Sequence, residues 1–202
     1  MSSPQRTIDV SHLPTHAFGK RDAMWWGTLG FVVIEGVTFA ICIATYFYLR
    51  PNFETWPPQR TPSPDLWPMI ANVLLMLASI IPVRWTQKRA FEENRRATRN
   101  GLVVCCLFGV GILVLRVFEL QALNTRWDEH AYGSIVWATV GLHTVQLVTD
   151  VLDTFVLTAL FFSRRFEKKL FPGADDNAIY WYFIVGSWFV LAAMIWLTPR
   201  LT

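Results

Sequence analysis

Four side chains in this sequence, Glu35, His143, Asp150 and Asp153, have the chemistry of proton exchange in a setting that makes them costly to keep. Glu35 stands near the middle of the apolar run 25–48. His143, Gln146, Asp150 and Asp153 follow one another through a second apolar run, 133–162. Their spacing of three, four and three residues places all four along one stripe of a helix. Carboxylates and an imidazole aligned in apolar surroundings are the raw material of proton relays, and of metal sites where enough ligands converge. An ionised carboxylate in hydrocarbon costs on the order of several kcal/mol. Glu35 is therefore expected to be protonated, paired, or turned toward a protein-lined or wet interior. For the same reason the four-residue stripe cannot face lipid. Two readings of it stay open: it fastens its helix to another subunit or to water-filled clefts, or it handles protons.

Positioning these residues requires helices that cross a bilayer. Of the 202 residues, 53 % are hydrophobic and only 16 % charged, and the apolar ones fall into five blocks: 25–48, 66–83, 102–120, 133–162 and 179–197. A hydrocarbon core of about 30 Å needs roughly 20 helical residues, so each block is near or above spanning length. The expected fold class is all-α, a polytopic membrane helical bundle. It forms a single membrane domain over 1–202 with spans at about 25–48, 66–84, 101–121, 133–162 and 179–198. Residues 1–21 are polar, contain Pro4 and Pro14 and show no apolar core before a cleavage site, so the first helix is expected to do the targeting itself. The net charge is only +3, but its placement is informative. With segment 1–23 in the cytoplasm, thirteen Lys and Arg residues fall inside and four (Arg50, Arg60, Arg126, Arg200) outside. The positive-inside rule therefore predicts an N-in/C-out topology.

Depth along the helices sorts the polar residues into two layers. At ~1.5 Å per residue from the cytoplasmic ends, Glu35 lies roughly 15 Å in, Asp153 roughly 14 Å and Asp150 roughly 18 Å; Glu119 and His143 both lie roughly 27 to 28 Å in. Arg116 precedes Glu119 by three positions, a spacing at which the two can pair and offset each other's burial. The expectation is an inner acidic layer of Glu35, Asp150 and Asp153 and an outer layer of Arg116, Glu119 and His143, with Gln146 on the same stripe. If the inner carboxyls approach one another, like charges in a low dielectric keep at least one of them protonated at neutral pH.

The remaining features carry less chemistry. Cys42, Cys105 and Cys106 fall inside spans without metal-type spacing and read as buried thiols. Pro14 separates His12 from His16, which argues against a two-histidine metal site. Trp25, Trp26, Trp56, Trp67, Trp85, Trp127 and Trp181 lie near span ends as an aromatic belt. Five prolines between Arg50 and Asp65 make the first outside loop extended and rigid, a possible docking surface. Helix two is expected to end near Pro82, with a helical extension in the following charged segment. Helix five reads as uncharged from Ile179 onward. Gly36, Ala40 and Ala44 form a small-residue stripe on which another helix could pack. Topology already accounts for the basic loops, so anionic lipid headgroups rather than nucleic acid are their expected partner. No internal repeat or paired broken helices mark a transporter's midplane site. An independent proton-coupled transporter built on the inner carboxylates nevertheless remains the rival of another class.

Several short motifs, in order, resemble subunit III of the haem-copper terminal oxidases in a five-helix bacterial form. Glu35 stands in IEGVTFA, where that family has S-E-x-x-x-F, and Trp56-Pro57-Pro58 is similar to its WPP. Phe118-Glu119, Tyr132-Gly133-Ser134 and Gly141-Leu142-His143 match, in turn, its glutamate near an outer helix end, its Y-G-S and the first half of its G-x-H-x-x-H. Tyr180, Trp181 and Trp188 fit its last-helix frame. The chain departs from the pattern at Gln146, in place of a second histidine, and at Tyr182 and Val185, in place of His and Asp. Asp150 and Asp153 have no counterpart.

The resemblance implies a non-catalytic accessory subunit of a bacterial respiratory oxidase, multi-pass in the inner membrane and packed with oxidase subunits I and II. Haem and copper would sit in those partners. This chain would hold no cofactor or metal of its own, only structural phospholipids in a cleft near Glu35. Its implied roles are stabilising the catalytic subunit and supporting proton uptake and O2 access. Trp56, Pro57, Pro58 and Trp181 are the implied lipid or subunit-docking residues. An accessory subunit of a nitric oxide reductase complex is the related alternative.

Overall fold

The computed structural model describes residues 23–58, 61–163, 168 and 170–200. The segment bearing His12 and His16, and Arg60, Arg164, Arg165 and Lys169, lie outside the described residues. Five long helices follow in order: α1 (Ala23–Leu49), α2 (Leu66–Phe91), α3 (Arg95–Gln121), α4 (Ala131–Phe162) and α5 (Leu170–Ala192). All five are long and apolar enough to cross a membrane, and no strand occurs among the described residues. The chain is a multi-pass membrane protein. Below, the end at which α1 begins is the base and the opposite end the head.

Short connections between successive helices make the bundle run up and down. The turn from α2 to α3 takes three residues, with Glu93 at a φ of 50°, and the Asn94 side chain caps α3 by accepting from the Ala97 amide at 3.1 Å. His130 does the same for α4, its Nδ1 accepting from the Gly133 amide at 3.0 Å. A side chain at Gly133 would collide with the backbone carbonyl of Arg126, so the tight approach of the preceding loop needs glycine there. At the base, Arg95 donates from Nη2 to the Ser163 carbonyl at 2.6 Å and to the Phe161 carbonyl at 3.0 Å, satisfying the open end of α4.

Helices α2, α3, α4 and α5 form a ring, each packed on the next and α5 closing back on α2, while α1 lies in the groove between α4 and α5. The side chains of α1 that are buried are Phe39, Cys42 and Tyr46, all in its head half. No residue from Ala23 to Thr38 is buried, so α1 leans away from the ring toward the base. The small residues Ala40 and Ala44 are exposed, and the expected close-packing stripe is not the face that α1 presents to the ring.

Three expectations are corrected. Helix α2 does not stop at Pro82: it runs to Phe91 with the proline inside, and the Thr86 hydroxyl donates back to the Pro82 carbonyl at 2.7 Å. Helix α5 begins at Leu170, not near Ile179, because Pro172 falls in its first turn, where a missing amide costs nothing. This brings Asp175, Asp176 and Asn177 into the bundle and moves Trp181 away from the helix end. Trp181 is 5 % exposed and donates to the Ser79 hydroxyl at 2.8 Å, so it joins α5 to α2 and is neither a belt residue nor a docking surface.

The loop between α1 and α2 also turns inward. Trp56 and Pro58 are buried and Pro57 is half-buried; the Trp56 ring packs at 5.3 Å from that of Tyr46 and 5.1 Å from that of Tyr132. Tyr46 shares a 2.6 Å hydrogen bond with Thr198, Trp196 donates to the Asp65 carbonyl at 2.8 Å, and Arg200 donates to the carbonyls of Pro64 and Trp196. These contacts seal the head. Trp26, Trp67, Trp85 and Trp127 remain exposed, as belt residues should be.

Candidate functional site

The head layer predicted from the sequence is assembled and closed. Arg116 pairs with Glu119 at 3.0 Å, and the two side chains are 1 % and 0 % exposed. The same guanidinium donates through Nη2 to Nδ1 of His143 at 3.1 Å and lies over the Trp188 ring, 3.6 Å from its centroid. Because an arginine can only donate, His143 Nδ1 must accept. Its proton therefore sits on Nε2, which donates to the Ile184 carbonyl at 3.0 Å. Asn72 of α2 donates to Glu119 Oε2 at 2.5 Å. Four helices thus share one buried network, in which the Arg116 cation offsets the buried Glu119 charge while Arg116 Nε, Glu119 Oε1 and Asn72 Oδ1 have no hydrogen-bond partner.

Glu35 sits where α1 meets the ring. Tyr180 donates to both of its carboxylate oxygens, at 2.9 and 2.7 Å, and Gln146 Nε2 donates to Oε2 at 2.7 Å. Phe31, one turn toward the base, stacks 5.6 Å from Tyr180. Glu35 is half-buried and paired by neutral donors from α4 and α5, one of the outcomes expected for a carboxylate in a span.

Toward the base from this clasp the gap between α1 and the α4/α5 face opens into a cleft of about 680 Å³. Met24, Thr28 and Phe31 form its α1 wall; Asp150, Asp153, Asp176, Asn177 and Tyr180 are among the residues of the other. Asp150 is buried. Asn177 donates to Asp150 Oδ1 at 3.4 Å and to the Thr154 hydroxyl at 3.0 Å. Asp153 is exposed on the cleft side and Asp176 is buried behind it. Of the expected acidic layer, Asp150 and Asp153 line the cleft together with Asp176 from the unpredicted start of α5, while Glu35 is held apart by Tyr180 and Gln146. Near it, Gln87 Nε2 donates to Asp175 at 2.7 Å, and Gln87 Oε1 accepts from Tyr182 at 2.9 Å.

Among the described residues no group of three or more His, Cys, Asp and Glu side chains is placed to hold a metal ion. The three cysteines are free; Cys42 and Cys106 are buried, and Cys105 is half-buried. Sequence reasoning missed Asn72, Asn177 and the clasp role of Tyr180. A lone amide in an apolar span, as at Asn72, is the signal that marks such a residue.

Comparison with known proteins agrees with this architecture over almost the full length. The family model described as cytochrome c oxidase subunit III matches residues 7–198. Similar proteins include the cytochrome c oxidase subunit 3 of Drosophila yakuba, 27 % identical over 190 residues, covering 90 % of this chain and 71 % of that protein. The subunit 3 of Petromyzon marinus is 26 % identical over 189 residues, with 90 % and 72 % covered. That of Mammuthus primigenius is 26 % identical over 198 residues, with 94 % and 74 % covered. A match that runs from before α1 to the end of α5 takes in the Glu35 clasp, the cleft wall and the head network together, and on that ground the chain belongs to the cytochrome c oxidase subunit III family.

Proposed function

We propose that this chain is a non-catalytic accessory subunit of an aerobic respiratory oxidase, bound to subunits I and II that carry the haem and copper. Membership of the family implies a multi-subunit oxidase complex, and the near-complete match to its model is the observation that carries the reading. In this reading the chain sits in a bacterial inner membrane, N-in/C-out, as one membrane domain with the base toward the cytoplasm. Excess basic residues near the base, among them Arg84, Lys88, Arg89, Arg95, Arg96 and Arg99, support that orientation.

The two polar sites then have different duties. The Arg116–Glu119–His143–Asn72 network locks four helices into a rigid ring against which a catalytic subunit can pack. The cleft below Glu35 holds structural lipid, and its carboxylates, opening toward the base, gather protons near the neighbour's uptake surface. Access of O2 through the apolar gap beside α1 belongs to the same reading. Trp56, Pro57 and Pro58 act by shaping the head surface from beneath it rather than by direct docking.

Mild detergent extraction and affinity purification through this chain, followed by mass spectrometry and a visible spectrum, tests the proposal. Co-purified haem-copper subunits with oxygen consumption are the expected result; a colourless chain purifying alone would overturn it. In the intact complex, Glu35→Gln is expected to alter proton uptake or shorten the active lifetime during turnover. Unchanged turnover, lifetime and assembly would reduce Glu35 to a packing residue.

A further inference from the structure

Gln146 is the member of the Glu35 clasp whose chemistry is half used. Its Nε2 donates to Glu35 Oε2 at 2.7 Å, yet its Oε1 has no hydrogen-bond partner although the residue is 3 % exposed. A buried acceptor in reserve beside a carboxylate has one obvious donor: the O–H that Glu35 carries when it holds a proton. Tyr180 already donates to both carboxylate oxygens, at 2.9 and 2.7 Å. Among the described residues no ion pair includes Glu35, so neutral dipoles alone meet its charge.

The terminal torsion of a glutamine is broad and close to two-fold, and half a turn about it exchanges Nε2 for Oε1. Turned over, the amide presents Oε1 to Glu35 and accepts from the carboxyl O–H. Each orientation makes one bond to Glu35 and leaves the other amide atom unpaired, so the amide itself favours neither charge state. A histidine at this place would take the proton on its own ring, whereas an amide has no such basic nitrogen. The other titratable groups around Glu35 are Tyr180 on α5, Cys42 two turns on along α1, and three residues of α4. Of these three, His143 lies toward the head, already engaged by Arg116 and the Ile184 carbonyl, and Asp150 and Asp153 lie toward the base. Tyr180, Asp150 and Asp153 all line the cleft that opens toward the base, which gives a proton from that side its way in.

We propose that Gln146 is a positioning residue for a proton carried by Glu35, its amide donating to the carboxylate and, turned over, accepting from the carboxyl, so that Glu35 loads and unloads without undocking α1. The assignment rests on reading the carboxylates at the cleft as proton-gathering groups and names the side chain that lets one of them exchange in place. Loading adds one proton from base-side water to Glu35 Oε2. The Nε2–H···Oε2 bond gives way to O–H···Oε1, and no other group changes charge.

The test uses the full chain in the complex with which it purifies, labelled with an isotope in the side-chain carbonyl of glutamine, and records infrared difference spectra as the pH is lowered. A protonated-carboxyl band that Glu35→Gln abolishes should grow. In the same pH interval the labelled amide band of Gln146 should shift to lower frequency as its carbonyl gains a donor; Gln146→Asn or Gln146→Met, whichever assembles, identifies that band by its loss. Gln146→His should diminish the carboxyl band, because an imidazolium beside Glu35 keeps it ionised. A growing carboxyl band beside an unmoved Gln146 band would overturn the proposal and leave Glu35 as a proton carrier held by a fixed donor. An undiminished carboxyl band in Gln146→His would overturn the amide's part in keeping the proton on Glu35. Absence of any Glu35 band over the range in which the complex stays assembled and consumes oxygen would overturn the proton-gathering reading as well.

Discussion

Glu119 and Asp153 are both carboxylates on spanning helices, yet the bundle treats them in opposite ways. Glu119 is 0 % exposed and held by Arg116 and Asn72 in a network whose members come from α2, α3, α4 and α5. Asp153 is exposed on the wall of a cleft that α1 leaves open. The difference follows from packing: the ring is closed by four mutual helix contacts, whereas α1 joins it mainly through its head half. Charge in the closed region fixes geometry, and charge in the open region is free to meet something that arrives from the membrane or the solvent.

The contrast breaks first at Arg116. Replacing it with Met leaves Glu119 buried beside the amide of Asn72 without its cation, and should cost about 3–5 kcal/mol in reversible unfolding from mixed micelles. A loss below about 1 kcal/mol would mean that water already reaches the network. Next comes the clasp: Tyr180→Phe removes the donor to both oxygens of Glu35. With that carboxylate half-buried, the expected loss is about 1 kcal/mol, and α1 should become easier to cleave by protease at its base half. Asp153→Asn, on the open wall, should change stability by no more than about 0.5 kcal/mol. A large loss there would show that the cleft is closed in the intact membrane.

The smallest effect is expected outside the membrane, at the head loop. Arg126 hydrogen-bonds Asp128 at 3.0 Å and holds its carboxyl below the usual carboxylate range. Any stability from that pair is present above the ordinary aspartate value and is lost as pH falls through the lowered one. Arg126→Ala should therefore move the Asp128 titration, followed by NMR of a labelled aspartate, back upward without shifting the thermal midpoint at neutral pH.

Much of this was legible in the sequence, for identifiable reasons. Bilayer thickness forces spanning length on each apolar block, which is why five helices could be read directly. Helical periodicity put His143, Gln146, Asp150 and Asp153 on one stripe, and equal depth put Glu119 level with His143, to which Arg116 joins it; the same count set Glu35 level with Asp150 and Asp153, whereas its donors are Gln146 and Tyr180. The start of α5 was hidden because Pro172-Gly173 and Asp175-Asp176-Asn177 have the composition of a loop, and only packing against α2 and α4 makes them helical. The inward turn of Trp56 was equally invisible, since a proline-rich loop looks the same whether it faces solvent or a neighbouring aromatic cluster. Tyr180 showed itself as a motif residue, but its bond to Glu35 crosses 145 positions and depends on how α1 leans.

That lean also bears on how the chain is made. Helix α1 is translated before its main partners, α4 and α5, which come last of the five described helices. While the ring is still being synthesised, α1 must wait in the bilayer with lipid around it, and an almost unbroken apolar surface with few buried positions suits that wait. Its single carboxylate, Glu35, receives its donors only when Gln146 and then Tyr180 have emerged. Docking of α1 is thus a late event in assembly, and the open cleft marks the half of the helix that docking leaves unpacked.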